Sequence, residues 1–177
     1  MKSYARSVRA LAQAGLIAAM YTALTVVTAP LSFGAIQCRP AEALTVLAVF
    51  TPTAIPGLTV GCVLANLIGI GMGANVAGAL DLICGTLATG VAAWLGYAAR
   101  NRRVRGLPLL AVAVPVVFNA AVVGTELTLL SPTPTIGVWC WQAALVAAGE
   151  LVACVGGGLA LFRVLTATGW DRRLFKI

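Results

Sequence analysis

Histidine is absent from all 177 residues, and only five side chains are acidic: Glu42, Asp81, Glu126, Glu150 and Asp171. Without histidine no Ser-His or Cys-His pair exists for nucleophilic catalysis, and the commonest metal ligand is missing. Five cysteines, Cys38, Cys62, Cys84, Cys140 and Cys154, are odd in number and widely spaced, so the close ligand pairs of a zinc or haem site do not occur. They read as small apolar fillers of helices, with Cys38 and Cys140 in connecting regions. No Gly-rich loop is followed by Lys-Ser/Thr, so any ATP must be used by another chain. Charged residues make up 10% of the sequence, where a soluble domain carries about a quarter.

What the chain has instead is apolar length. Hydrophobic residues make up 60%, with 19 glycines, and glycine is commoner in membrane helices than in soluble ones. A membrane helix needs roughly 20 apolar residues. The pattern predicts an all-α, six-transmembrane-helix bundle forming one membrane domain over 1–177, with helices near 8–29, 41–51, 55–70, 76–99, 107–130 and 137–165. Alternation of the β-barrel kind is absent. The second segment is too short to span in isolation. Pro115 is expected to kink the fifth, and glycines 69, 71 and 73 to end the third. A cleaved signal peptide is a rival reading of the basic start, but the apolar stretch there is long and runs into PLSFG without a cleavage cassette.

Charge orients the bundle. If the N-terminus is inside, eleven of the twelve basic residues (Lys2, Arg6, Arg9, Arg100, Arg102, Arg103, Arg105, Arg163, Arg172, Arg173 and Lys176) fall on that side, and Arg39 alone on the other. The positive-inside rule therefore places both termini in the cytoplasm. Basic residues at helix ends with no soluble scaffold argue against nucleic acid as a partner.

Asp171 sits beside Arg172 and Arg173 in the tail, a solvated charge. The other four acids lie in or at the ends of apolar helices, where a carboxylate is costly and marks a pair, an ion path or a substrate contact. Glu42, Asp81 and Glu126 fall toward the outer face with Gln37, Arg39, Asn75, Trp139, Trp141 and Gln142. Asn119 lies two turns below Glu126 on one face, and Glu150 about 12 Å below Gln142. Asn66 can join them. Together these outline an outward cup for a small, polar, nitrogen-rich planar solute. Each has a bland alternative. Arg39 can pair with Glu42 at a helix start, Asp81 can cap a helix, Glu150 can be satisfied by Asn119, and the tryptophans can be interface anchors. The spacing of Ala10, Ala14 and Ala18 permits close helix approach, either within this chain or to a partner.

Four blocks carry a family resemblance: APLSFGAIQCRPAEAL from Ala29 to Leu44, FTPTAIPGLTVGCVLANLIG from Phe50 to Gly69, ALDLICGTLAT from Ala79 to Thr89, and FNAAVVGTEL from Phe118 to Leu127. They resemble the QueT family, substrate-binding (S) subunits of energy-coupling factor (ECF) transporters. The resemblance implies uptake of a queuosine precursor, a 7-deazaguanine base with a cyano or aminomethyl group or a queuine-like compound. It implies as partners a transmembrane coupling subunit (EcfT) and two ATPases, which use the ATP, with no cofactor on this chain. The subunit is expected to topple in the bacterial plasma membrane to release its load. Substrate contacts are expected among Gln37, Arg39, Glu42, Asn66, Asp81, Asn119, Glu126, Trp139, Gln142 and Glu150, and coupling-subunit contacts at Ala10, Ala14 and Ala18. An S subunit for another vitamin, a membrane scaffold without a ligand, a self-sufficient carrier and an intramembrane enzyme built on Asp81 and Glu126 are the competing readings.

Overall fold

In the computed structural model the described residues, 2–34 and 37–175, are mostly helical, with no strand among them beyond one isolated bridge, Val104 to Leu107. Lys176, counted above at the basic end, lies outside them, as do the side chains of Lys2 and Arg6. Helices α1 (Lys2–Val27) and α2 (Ala29–Ser32) are followed by a 3-10 helix (Pro40–Val49), then α3 (Ala54–Gly71), α4 (Ala79–Ala98) and α5 (Leu109–Leu129). Helix α6 (Ile136–Glu150) runs through a π-helical stretch (Leu151–Gly158) into α7 (Leu159–Thr168), and α8 (Trp170–Leu174) follows.

Five of these stretches are long and apolar enough to cross a membrane: Ser7–Val27, Ala54–Gly71, Ala79–Ala98, Leu109–Leu129 and Ile136–Thr168. The second expected segment differs. It is a ten-residue 3-10 helix opening on Pro40, and at about 2.0 Å per residue it reaches only about 20 Å, short of the roughly 30 Å of hydrocarbon. Helix α3 continues past Gly69 to Gly71, and α5 runs through Pro115. The sixth segment is longer than expected and changes geometry twice, because the run Gly156-Gly157-Gly158 offers little resistance to the wider π winding.

Polarity is inverted relative to a soluble domain. Large apolar side chains face outward, among them Leu11 at 75% and Val27 at 82% exposure, while Arg39, Glu42, Asp81, Glu126 and Glu150 are buried. Lipid tails accept the first group, and only protein can satisfy the second. Two ends can be distinguished. At one, Arg9 Nη2 donates to the Arg173 carbonyl (2.9 Å), Gln13 donates to the Leu174 carbonyl, and Phe50 stacks between Phe162 (5.2 Å) and Phe175 (5.7 Å). This end also carries the α4–α5 turn, where Arg105 and Gly106 both adopt positive φ (52° and 80°) between the bridged Val104 and Leu107. At the other end lie the connections from α1 to the 3-10 helix, α3 to α4, and α5 to α6.

Close helix approach depends on missing side chains. A Cβ on Gly61 would lie 2.8 Å from Tyr21 Cβ and 2.9 Å from the Ala18 carbonyl, and one on Gly57 would lie 2.8 Å from the Ala14 carbonyl. Thr22 Oγ1 also donates across this seam to the Gly61 carbonyl (3.1 Å). The alanine spacing of α1 is thus used within the chain, with Ala18 buried, Ala14 half-buried against α3, and Ala10 half-buried. Gly61→Val should cost about 1–3 kcal/mol by overpacking. Gly15→Ala, where nothing lies within 4 Å, should be neutral. Thermal midpoints of the purified protein in detergent test this, and equal midpoints for the two variants would refute the seam.

Candidate functional site

The site is built around Arg39, the one buried base among the described residues. It follows the α1–3-10 connection and is held from three sides. Its Nε donates to the Ser32 carbonyl (3.2 Å), its Nη2 pairs with Asp81 Oδ2, and its guanidinium lies 5.4 Å from the centre of the Phe33 ring. Asn75 Nδ2 donates to the same Asp81 oxygen (2.9 Å), while its Oδ1 accepts from the backbone of Ala77 and Gly78 (3.1 Å each) and so shapes the turn into α4. Asn66 Nδ2 donates to the Asp81 carbonyl (2.9 Å). Space for the pair comes from Gly85: a Cβ there would collide with Asp81 Oδ1. The alternative partner of Arg39, Glu42, is therefore not the one it takes. Nor does Asp81 cap α4, whose N-cap is Gly78 without a side-chain bond.

A second group lies between the 3-10 helix and the π stretch. Glu42 Oε1 accepts from the Tyr21 hydroxyl and from Thr89 Oγ1 (2.9 Å). Glu150 Oε1 accepts from Asn119 Nδ2 (3.1 Å), and its Oε2 from the Cys154 thiol (3.1 Å). The carboxylates of Glu42 and Glu150 and the Cys154 sulfur offer atoms within 4.8 Å of one another. Residues 43 and 157 explain the closeness: a Cβ on Gly157 would lie 3.0 Å from Ala43 Cβ, so the two unusual helices touch directly.

Glu126 stands apart. It is 3% exposed and neither carboxylate oxygen has a hydrogen-bond partner. Other buried polar atoms share this state: Gln37 Nε2, Glu42 Oε2, Asn66 Oδ1, Asp81 Oδ1, Thr86 Oγ1 and Asn119 Oδ1. Gln37 also holds a left-handed backbone, φ 46°, a conformation costing on the order of 1–3 kcal/mol for a residue other than glycine.

The expected residues therefore divide. Gln37, Arg39, Glu42, Asn66, Asp81, Asn119, Glu126 and Glu150 are all buried in the bundle. Trp139 is half-buried, and its Nε1 donates to Thr125 Oγ1 (2.9 Å), an exposed residue one position from Glu126. Gln142 is half-buried and Trp141 exposed. Asn75, placed in the outer polar layer by the sequence, joins the buried group through Asp81, and Tyr21, Thr89, Cys62 and Cys154 are additional members that the sequence does not single out. Tyr21 and Thr89 were hidden inside apolar runs, where an isolated hydroxyl carries little signal. The two buried cysteines do more than fill space: Thr89 and Asn66 approach the Cys62 sulfur (3.7 Å each).

Removing one partner of the buried ion pair strands the other charge. Arg39→Met should lower stability by about 3–5 kcal/mol, and adding Asp81→Asn should restore part of it, read as thermal midpoints in detergent. A single variant no less stable than the double would refute the pairing.

Comparison with known proteins now bears on this arrangement. A family model described as QueT transporter matches residues 11–167, a span containing every member of the buried polar site. No curated protein and no solved structure matches the chain. With five helices able to cross a membrane and a family match over most of its length, the chain is a multi-pass membrane protein and belongs to the QueT transporter family.

Proposed function

We propose that this chain is the substrate-binding subunit of an ATP-driven uptake system for a queuosine precursor, a 7-deazaguanine carrying an aminomethyl or cyano group or a queuine-like compound. The observation that carries the reading is a surplus of buried acceptors. Among the described residues four carboxyl groups share the interior with one guanidinium, and that guanidinium is already paired. Unpartnered oxygens of Glu42, Asn66, Asp81, Asn119 and Glu126 stand against the amide nitrogen of Gln37 and the Thr86 hydroxyl. Buried polar groups without partners are costly, and a ligand rich in N–H donors relieves that cost. A deazaguanine base offers N1–H, a 2-amino group and a ring N–H, with O6 as its main acceptor. Glu126, with both oxygens free, suits the two-donor edge. Gln37 Nε2 suits O6. An ammonium on the ligand suits Glu42, whose Oε2 has no partner. A carboxylate-bearing ligand such as biotin meets the opposite field and is disfavoured.

The coupling belongs to other chains. This sequence holds no nucleotide-binding loop, so ATP is consumed by two ATPase subunits acting through a transmembrane coupling subunit. In this reading the 3-10 helix is the sixth membrane segment, both termini are cytoplasmic in a bacterial plasma membrane, and the polar site opens at the outer side. Toppling of the subunit would carry the load inward. Ala10 and the exposed face of α1 remain available to the coupling subunit, whereas Ala14 and Ala18 contribute by setting how α1 lies on α3.

Calorimetric titration of the purified subunit with aminomethyl, cyano and nucleoside forms should give saturable binding of at least one. Glu126→Gln and Glu150→Gln should each weaken it on the order of tenfold or more, since each removes a charged hydrogen-bond acceptor. No saturable binding of any form would favour a scaffold instead. Uptake into vesicles containing this chain alone, without ATP, would favour a self-sufficient carrier.

A further inference from the structure

We infer that Tyr21 and Thr89 are positioning residues that make Glu42 the determinant of selectivity for a cationic amine over a neutral substituent. The inference rests on the deazaguanine reading and adds to it which residues discriminate. Glu42 comes from the 3-10 helix, Tyr21 from α1 and Thr89 from α4. All three are at most 1% exposed. Both hydroxyls donate to the same oxygen, Oε1. A carboxylate oxygen has two lone-pair sites, so the two donors fill Oε1 and fix the plane of the group from opposite helices. The other oxygen, Oε2, is buried and left without a partner.

The surroundings decide what Oε2 can take. Glu150 and Cys154 offer atoms within 4.8 Å of the Glu42 carboxylate. Glu150 is itself occupied, by Asn119 on one oxygen and Cys154 on the other. Arg39, the one buried base among the described residues, is paired with Asp81. Glu42 Oε2 is therefore a fixed, unpartnered oxygen beside a second carboxyl group, with Arg39 committed elsewhere. An ammonium brings both the donor and the charge that this position lacks. A nitrile offers only an acceptor, and it would face carboxylates. If the Tyr21 hydroxyl is lost, the carboxyl is free to rotate or to take its remaining bond elsewhere, and the advantage of the ammonium falls while the rest of the ligand keeps its contacts. A role limited to holding helices together predicts something different, namely equal loss for both ligands.

The test uses the full chain in detergent, titrated with aminomethyl- and cyano-7-deazaguanine. Tyr21→Phe keeps the Cβ that packs on Gly61 and the ring itself, and Thr89→Val keeps the shape of its side chain, so either serves if the other folds poorly. Each should weaken the aminomethyl ligand on the order of tenfold, the scale of a hydrogen bond to a charged group, and change the cyano ligand less than about twofold. Combined with Glu42→Gln, Tyr21→Phe should add no further loss, as expected for residues acting through one carboxylate. Equal weakening of both ligands, no weakening of either, or full additivity with Glu42→Gln would overturn the inference while leaving the deazaguanine reading intact. A wild-type chain that binds neither base sinks that reading and this inference together.

Discussion

A carboxylate surrounded by hydrocarbon has no water to turn to, so each one must find its partners inside the protein. That constraint organises this bundle. Among the described residues it buries four carboxyl groups and supplies one base, and the base is committed to Asp81 with support from Asn75 and the Ser32 carbonyl. Tyr21, Thr89, Asn119 and Cys154 then satisfy part of Glu42 and all of Glu150 with hydroxyl, amide and thiol donors. Glu126 receives nothing. The interior thus holds acceptors in place while leaving several of them unanswered, and on this the proposed binding of a donor-rich solute rests.

Holding those acceptors in place depends on helix geometry as much as on side-chain type. The 3-10 helix is narrow and the π stretch wide, and they meet where Ala43 faces Gly157. Glu42 belongs to the first and Glu150 immediately precedes the second, so the two carboxyl groups lie at the junction of the two unusual windings. Both departures have local causes. Pro40 opens the first, and three consecutive glycines occupy the end of the second. Such departures from α geometry recur at functional sites because they redirect a few side chains without breaking the element.

Small residues do the corresponding work between α-helices. Gly57 and Gly61 let α1 approach α3 until backbone and Cβ atoms touch, and this brings the Tyr21 hydroxyl within reach of Glu42. Gly85 makes room within α4 for Asp81 and Arg39. Packing in lipid gains little from apolar burial, because tails are as apolar as leucine, and close contact plus hydrogen bonds must supply the difference. The glycines near the polar site therefore contribute to function through the distances they permit.

Much of this was legible from residues alone. Long apolar runs dictate membrane helices whatever their packing, because the hydrophobic thickness of a bilayer sets a length that sequence reveals directly. The rarity of acids in those runs marked Glu42, Asp81, Glu126 and Glu150, and all four are buried. What residues alone could not decide was pairing. Arg39 is three positions from Glu42 and forty-two from Asp81, yet it takes Asp81, because the backbone around Pro40 and the notch at Gly85 set direction where sequence spacing does not. Trp139 shares a helix with Glu150 but bonds to the exposed Thr125. Tyr21 and Thr89, ordinary members of apolar stretches, became site residues only when three helices converged on one carboxylate. Composition determines which groups lipid will not tolerate alone; the tertiary fold decides which of them meet, since hydrogen bonds depend on ångström distances that no one-dimensional pattern encodes.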